Sequence, residues 1–186
     1  MSEFKKMEFK VQTKGLVIVY TGEGKGKTTA ALGLVLRAVG YKKKVLIIQF
    51  GKIWFTGELE GIKNLKPYVK IVQGGKGFVK ILNDKLPLQD HQKAAETTFE
   101  LLATEINSGN WDLIVADEII GTTVGGLLKW DQVLDLIKNK PEELDLVLTG
   151  RHAPQSLIDL ADLATEMKAL KHPFDQGFLA KVGIDY

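Results

Sequence analysis

The sequence predicts one α/β domain over residues 1–186, in which a mostly parallel β-sheet carries helices on both faces. Short apolar runs alternate with amphipathic stretches along most of the chain, which is the order of elements expected for such folds. The runs are rich in Val, Ile and Leu with little alternation, as expected for strands covered on both faces. A chain of this length can also bury a sizeable core.

Five apolar runs predict the core strands, and a weaker sixth run, 165–170, is expected to close one edge of the sheet. The five runs are 15–20, 45–50, 69–72, 112–117 and 144–150. Helices are predicted at about 27–39, 88–106, 130–138 and 154–161. The first is expected to end at Gly40, since glycine is a common C-terminal cap. One face of the second helix carries Ala95, Phe99, Leu102 and Ile106.

Composition argues against several classes of protein. The net charge is only +2, and the basic residues include just two arginines, which is not typical of nucleic-acid-binding proteins. The chain has no cysteine, so it has neither disulfides nor a thiol nucleophile. No apolar run approaches the roughly 20 residues of a membrane-spanning helix, and the N-terminal arm, 1–14, which we expect to be mobile, lacks signal-peptide features. We therefore expect a cytoplasmic protein that binds neither nucleic acid nor membrane.

The segment 22-GEGKGKTT-29 has the position and residue types of a phosphate-binding P-loop. Its glycines allow backbone N–H groups to converge on an oxyanion at the start of the next helix. Lys27 is expected to reach the terminal phosphates, and the Thr28 hydroxyl to hold Mg²⁺. The strict pattern requires glycine at position 21, where this chain has Thr21, so we expect a loop of slightly different curvature. With the parallel sheet, the loop predicts a P-loop NTPase-like (RecA-like) fold of three layers.

Two acidic residues, Asp117 and Glu118, follow the fourth predicted strand directly. Ligands bind at the carboxyl ends of such strands, so these carboxylates are expected to face the loop. In hydrolytic P-loop enzymes the aspartate orients Mg²⁺ and the glutamate activates water. On this pattern Asp117 would orient Mg²⁺ and Glu118 would activate water.

Phosphoryl-transfer machinery is sparse in this sequence. A kinase places cationic groups, usually arginines, over the transferring phosphoryl group. Only Arg151, after the fifth core strand, is well placed for this. The residues alone leave open a phosphotransferase or ATPase with an unidentified acceptor, and a carrier that binds its ligand without turnover.

Two long segments carry a resemblance to a known family. They are the loop 20-YTGEGKGKTTAALG-33 and the ending 171-KHPFDQGFLAKVGIDY-186. Shorter matching pieces are 37-RAVG-40, 49-QF-50, Trp54, 57-GE-58, 77-GF-78, 117-DE-118, 149-TGR-151 and 161-AD-162. On these motifs, residues 15–186 resemble the P-loop-type ATP:corrinoid adenosyltransferases, which make adenosylcobalamin. That family's loop carries the register T-G-x-G-K-G-K-T-T-A, in which the first glycine is displaced as it is here.

The resemblance implies a transfer of the nucleoside and not of a phosphoryl group. The 5′-deoxyadenosyl group of ATP would pass to the Co(I) centre of cob(I)alamin or cobyrinic acid a,c-diamide, with release of triphosphate. Co(I) is itself the nucleophile, so no general base is needed, and the ATP would lie with its ribose facing the corrin. The resemblance also implies Mg²⁺, a homodimer, and an external reductant such as a reduced flavin or flavodoxin.

Residue roles on the ATP side follow from the matched positions. The residues implied to bind ATP are Gly22, Glu23, Gly24, Lys25, Gly26, Lys27, Thr28, Thr29 and Arg151. Lys27, Thr28 and Glu118 are implied to be catalytic. Thr28 and Glu118 are also implied to contact Mg²⁺, with Asp117 as the second choice. Glu23 stands where relatives have asparagine, and an acid at this position is expected only if it faces the ribose.

On the corrinoid side, the implied residues are Phe78, Trp54 and Lys80. Phe78 matches an aromatic residue that packs under the corrin and excludes its lower ligand. Lys80 stands where relatives have a second aromatic residue, so Trp54 or Phe55 is the alternative group for displacing that ligand. The histidines are not expected to bind metal: His91 and His152 are predicted to be surface or capping groups, and His172 to be structural.

Overall fold

The computed structural model describes residues 14–77, 79 and 84–185, which form an α/β structure around one sheet. The described strands are β1 (Val17–Thr21), β2 (Val45–Phe50), β3 (Val69–Gly74), β4 (Leu113–Asp117), β5 (Asp145–Thr149) and β6 (Leu163–Glu166). All pairings are parallel, and the strand order is β3-β2-β4-β5-β1-β6. This confirms the predicted P-loop NTPase-like class.

Six α-helices are described between and after these strands. They are α1 (Lys27–Gly40), α2 (Gly57–Gly61), α3 (Leu88–Ile106), α4 (Ile119–Val124), α5 (Trp130–Lys138) and α6 (Gln155–Leu160). The four predicted helices match α1, α3, α5 and α6. The sequence did not predict α2, α4 or the short 3₁₀ helices Ile62–Leu65 and Pro173–Gln176, because such short helices show no clear periodicity. No helix in the described part of the chain is long and apolar enough to cross a bilayer.

Helices cover both faces of the sheet, which gives the predicted three layers. On one face, α1 contributes Ala31 and Val35 to a core that includes Ile47, Val115 and Val147 of the strands. On the other face, α3, α5 and α6 pack against the alternate strand residues. Buried members of this second core include Leu46, Ile48, Ala95, Leu102, Ile106, Ile114, Val133, Leu146, Leu148 and Leu157. Successive strand residues therefore enter opposite cores, which explains the continuous apolar runs.

Two predicted element boundaries are wrong. α1 continues through Gly40 and is capped at Tyr41, and the left-handed turn falls on Lys42 (φ 60°), so Gly40 is not the cap. The edge strand β6 lies at Leu163–Glu166, ahead of the predicted run 165–170. All four β6 residues are exposed, so hydrophobicity gave no signal for the position of this strand.

The strand order determines where the site is built. β1, which leads into the glycine loop, does not neighbour β4, which leads into the acid pair, because β5 lies between them. Thr149, the last residue of β5, pairs with Tyr20 of β1. The carboxyl end of β5 therefore separates the glycine loop from Asp117 and Glu118.

Replacing Ile114 by alanine tests the core. This side chain is fully buried in the central strand β4, so Ile114→Ala should lower the free energy of unfolding by about 2–5 kcal/mol, as large-to-small core substitutions do. Leu170, which is 89% exposed, is the control, and Leu170→Ala should change it by less than about 0.5 kcal/mol. Guanidinium unfolding followed by circular dichroism measures both, and equal losses would contradict the described packing.

Candidate active site

The Lys27 side chain lies inside the glycine loop and is hydrogen-bonded to its backbone. Lys27 is the first residue of α1 and is buried, and its Nζ donates hydrogen bonds to the carbonyl oxygens of Gly22 (2.7 Å) and Gly24 (2.8 Å). Burial lowers the pKa of Lys27, which the nearby Glu118 carboxylate partly offsets. The ammonium group is thus held within the loop, at the positive end of a helix, where an anion would bind.

The glycines at 22 and 24 face the backbone of Met167, just beyond β6. A Cβ atom at Gly22 would lie 2.5 Å from the Met167 carbonyl oxygen, and one at Gly24 would lie 2.7 Å from it. The Gly24 N–H donates to this same oxygen at 2.6 Å, and the Met167 N–H donates to the carbonyl of Thr21 at 2.8 Å. The glycine loop is therefore hydrogen-bonded to Met167, the residue that follows the edge strand β6. This contact explains why glycine is required at position 22, whereas Thr21 ends β1.

Asp117 lies at the centre of the site with its side chain only 1% exposed. Its Oδ1 accepts hydrogen bonds from the hydroxyls of Thr28 (2.8 Å) and Thr149 (2.7 Å). Its Oδ2 accepts from the amide of Gln49 (3.3 Å) and the ammonium of Lys52 (3.0 Å). Thr28 lies in α1 and Thr149 ends β5, whereas Gln49 lies in β2 and Lys52 follows that strand. One carboxylate therefore connects three elements of the fold. Of the two acids, Thr28 therefore contacts Asp117, which was the second choice for the metal.

The sequence analysis did not identify three residues of the site, which are Gln49, Lys52 and Thr149. Lys52 lies two residues after β2, its side chain is 13% exposed, and it also approaches Glu58 Oε1 at 3.5 Å. Burial alone would lower its pKa, but the charge and hydrogen bond of Asp117 raise the pKa overall. Gln49 also donates to Glu58 at 3.0 Å. The available signal was the position of Gln49 and Lys52 at the carboxyl end of a buried strand next to β4.

Glu118 adopts a left-handed backbone conformation (φ 64°) and forms the N-terminal cap residue of α4. Its N–H donates to the Thr149 hydroxyl at 2.9 Å, which fixes the backbone beside Asp117. Burial, and secondly the neighbouring Asp117 carboxylate, raise the pKa of Glu118. An ionised Glu118 would be stabilised by a cation at this position, as a metal site requires.

The donor set beside the loop fits Mg²⁺. No group of three or more His, Asp or Glu side chains suited to a metal occurs among the residues that the structure describes. Mg²⁺ in nucleotide sites is usually held by one or two carboxylates together with phosphate oxygens and water. The Thr28 hydroxyl and the Asp117 and Glu118 carboxylates provide such hard oxygen donors, and the first two are already in contact.

The other predicted ATP-binding residues surround the loop. Arg151 and His152 both approach Glu23, at 2.9 Å and 3.1 Å, and all three side chains are exposed. Lys25 forms an ion pair with Asp185 near the end of the chain, so the C-terminal segment reaches the loop. Thr29 is exposed in the first turn of α1. Glu23 and Arg151 therefore meet, although the sequence gave no reason to pair them.

An apolar surface adjoins the polar site. Ile53 and Phe55 are 60% and 63% exposed, and they flank the half-buried Trp54 in the segment that follows Lys52. A Cβ atom at Gly77 would lie 3.4 Å from Ile53 Cδ1, so this segment meets the loop after β3. Phe78 and Lys80, predicted for the same surface, lie outside the described residues.

The histidines are placed as follows. The prediction for His91 was wrong, because this side chain is buried in α3 and its Nε2 lies 3.0 Å from Asp84 Oδ2. His152 is exposed and pairs with Glu23. His172 Nδ1 accepts a hydrogen bond from the Phe174 N–H at 3.1 Å, which caps the 3₁₀ helix at Pro173–Gln176. This contact agrees with the structural role predicted for His172.

Comparisons with known proteins point to one family. The family model described as "ATP:corrinoid adenosyltransferase BtuR/CobO/CobP" matches residues 13–186. "Corrinoid adenosyltransferase" of Escherichia coli (strain K12) is 32% identical over 176 residues, which cover 93% of this chain and 86% of that protein. "Corrinoid adenosyltransferase" of Sinorhizobium sp is 36% identical over 184 residues, covering 97% and 84%. "Corrinoid adenosyltransferase CobA" of Salmonella typhimurium is 34% identical over 179 residues, covering 94% and 87%.

The raised pKa of Glu118 predicts a pH-dependent stability. Because the folded chain holds this proton more tightly than the unfolded chain does, ionised Glu118 lowers stability above its ordinary pKa of 4.5. Glu118→Gln should therefore raise the free energy of unfolding at pH 7 in EDTA, and the gain should shrink as the pH falls through the raised pKa of the folded chain towards 4.5, below which little of it should remain.

Urea unfolding at several pH values measures this difference. Glu100→Gln, at an exposed position of α3, is the control and should change stability by less than about 0.5 kcal/mol throughout. A Glu118→Gln protein that is less stable than the parent at pH 7 would contradict the assigned electrostatics.

Proposed function

This chain belongs to the ATP:corrinoid adenosyltransferase family, and from this premise we propose the chemistry of its site. We propose that it transfers the 5′-deoxyadenosyl group of ATP to the Co(I) centre of a corrinoid and releases triphosphate. Cob(I)alamin and cobyrinic acid a,c-diamide are both candidate acceptors. The product would serve adenosylcobalamin biosynthesis or salvage.

The proposal rests on one observation: the polar residues of the candidate site lie next to an exposed apolar surface. Contacts run from Thr28 through Asp117 to Lys52, and the residues after Lys52 present Ile53 and Phe55 to solvent. A reaction that joins a nucleotide to a large, largely apolar ring needs both surfaces side by side. Binding them together converts a bimolecular step into an oriented one, which can contribute several kcal/mol to the barrier reduction.

The proposed reaction balances without a proton transfer. The electron pair of Co(I) attacks the 5′ carbon of the ribose, and a Co–C bond forms. The bond between that carbon and the α-phosphate oxygen breaks, and its electron pair leaves with the triphosphate. Cobalt is formally oxidised to Co(III) in the process. Catalysis then depends on holding the departing polyphosphate and orienting the carbon.

The residues of the loop fit the stabilisation of a leaving anion. Lys27 is held in the loop beside the start of α1, so its charge and the helix dipole act on the same place. Lys25 would add a second positive charge if the phosphates displace Asp185 from it. Thr28, Glu118 and Asp117 would hold Mg²⁺, which supplies charge neutralisation for the phosphate oxygens when bound.

We propose further roles for residues on both the ATP side and the corrinoid side of the site. Glu23 faces Arg151 at the loop, and this pair would contact the ribose or the adjoining phosphate. Phe78, Trp54 and Lys80 are proposed for the corrinoid, with Phe55 as a further aromatic candidate. We also propose a cytoplasmic homodimer that is supplied with electrons by an external reductant, such as a reduced flavin or flavodoxin.

The products distinguish this proposal from a phosphotransferase or ATPase that uses the same loop. With ATP, Mg²⁺ and chemically reduced corrinoid, we expect a light-sensitive Co–C product and inorganic triphosphate, measured by absorbance and by phosphate chromatography. Lys27→Ala should reduce the rate by at least about a hundredfold, as removal of a key anion-stabilising group does. ADP or orthophosphate as the main product would contradict the proposal.

Phe55→Ala tests the apolar surface. Because Phe55 is 63% exposed, its removal should leave the unfolding midpoint nearly unchanged. If the corrinoid covers this side chain, the KM for corrinoid should rise about tenfold, in line with the burial of an aromatic group, while the KM for ATP stays constant. Tyr41→Ala, at an 82% exposed position after α1, is the control and should alter neither KM. If the KM for corrinoid is the same in Phe55→Ala and the parent, Phe55 does not contact the corrinoid.

A further inference from the structure

The charge balance around Asp117 depends on Lys52. The Asp117 side chain is 1% exposed, and a buried carboxylate needs a compensating positive charge. Thr28, Thr149 and Gln49 donate hydrogen bonds to it but carry no charge. Lys52, at 3.0 Å from Oδ2, does carry one.

The Asp117 charge also acts on Lys27, but the hydrogen bonds of Lys27 are made to the glycine loop. Its Nζ donates to the carbonyl oxygens of Gly22 and Gly24 and points into the glycine loop. The loop lysine is thus assigned to the phosphates, and the carboxylate on β4 relies on the lysine that follows β2. Two lysines divide the charge compensation of one site.

Lys52 also has a second acidic neighbour. Glu58 Oε1 lies 3.5 Å from its Nζ, and the amide of Gln49 donates to both Glu58 and Asp117. Lys52 could therefore withdraw from Asp117 and keep an anionic partner. Its side chain is only 13% exposed while it contacts Asp117, and leaving that contact would increase the exposure of the ammonium group.

We propose that Lys52 is a positioning residue that neutralises Asp117 before Mg²⁺ and nucleotide bind and then yields the carboxylate to the metal. Lys52 acts through Asp117, because it keeps this carboxylate oriented towards Thr28 while the metal is away. On metal binding it turns towards Glu58 and the incoming phosphates. The inference rests on the proposed nucleotide and metal site, but not on the corrinoid chemistry.

The sign of a change in metal affinity separates this role from a structural one. A residue that only holds the site in shape would weaken metal binding when it is removed. A positive charge that competes with the metal for Asp117 would, when removed, strengthen the binding of metal alone. The same removal would weaken the binding of metal-free triphosphate, because a polyanion loses an attractive charge.

The experiment compares Lys52→Gln, Lys52→Arg and Lys63→Gln. Lys63 is the matched control, since its 60% exposed side chain pairs with Glu60 and its replacement changes the net charge equally. The probes are Mn²⁺ without nucleotide, followed by electron paramagnetic resonance, and inorganic triphosphate in EDTA, followed by calorimetry. Lys52→Gln should bind Mn²⁺ about tenfold more tightly and triphosphate about tenfold more weakly, whereas the other two variants should stay within about twofold of the parent. Unchanged or weaker Mn²⁺ binding by Lys52→Gln, or equal shifts in Lys63→Gln, would overturn the proposal.

The unaltered protein provides a second test that does not depend on the folding of a variant. A short pulse of an acetylating reagent, read by mass spectrometry, reports the accessibility of each lysine. Saturating Mg²⁺ without nucleotide should increase acetylation of Lys52 and leave Lys63 unchanged. Acetylation of Lys52 that stays constant on Mg²⁺ binding would refute the exchange. Because neither test involves a corrinoid, the proposed transfer reaction can fail while this inference holds, and the reverse.

Discussion

The buried carboxylate of Asp117 is the interaction on which the candidate site depends. It receives hydrogen bonds from the first turn of α1, from the end of β5 and from the residues that end and follow β2. In a parallel sheet the carboxyl ends of strands meet at one edge, but nothing in that geometry fixes the distance between their side chains. A single acceptor with several donors does fix it. The glycine loop, the acid pair and the segment after β2 are thereby held as one unit.

This arrangement places two kinds of surface on either side of the carboxylate. On the α1 side lie the glycine loop and Lys27, which suit a polyanion. On the β2 side, directly after Lys52, the chain presents Ile53 and Phe55, which suit an apolar ring. Charge and apolar contact are hard to combine in one pocket, because burying an unpaired charge is unfavourable. The fold separates them by the width of a few strands and joins them through Asp117 and Lys52.

Much of the fold could be predicted, because the buried strands and the longer helices leave strong apolar patterns. α3 matched the predicted 88–106 since its buried residues recur with helical spacing. β6 was misplaced because an exposed edge strand carries no such pattern. The loop and the acid pair were found from their residue types. Lys52 and Thr149 were not assigned roles, because their contacts with Asp117 depend on strand order, and the position of β5 between β1 and β4 has no local signature.

The contact between the glycine loop and Met167 has a consequence for how such loops are recognised. Glycine recurs at every second position from 22 to 26, and Met167 lies within reach of a Cβ atom at each of the three. The glycine spacing therefore reflects the close approach of a neighbouring chain segment as well as the shape of a bound anion. Pattern searches that insist on the strict motif would discard this loop. Conversely, alternating glycines in an uncharacterised sequence should prompt a search for an additional strand bordering the one that enters the loop.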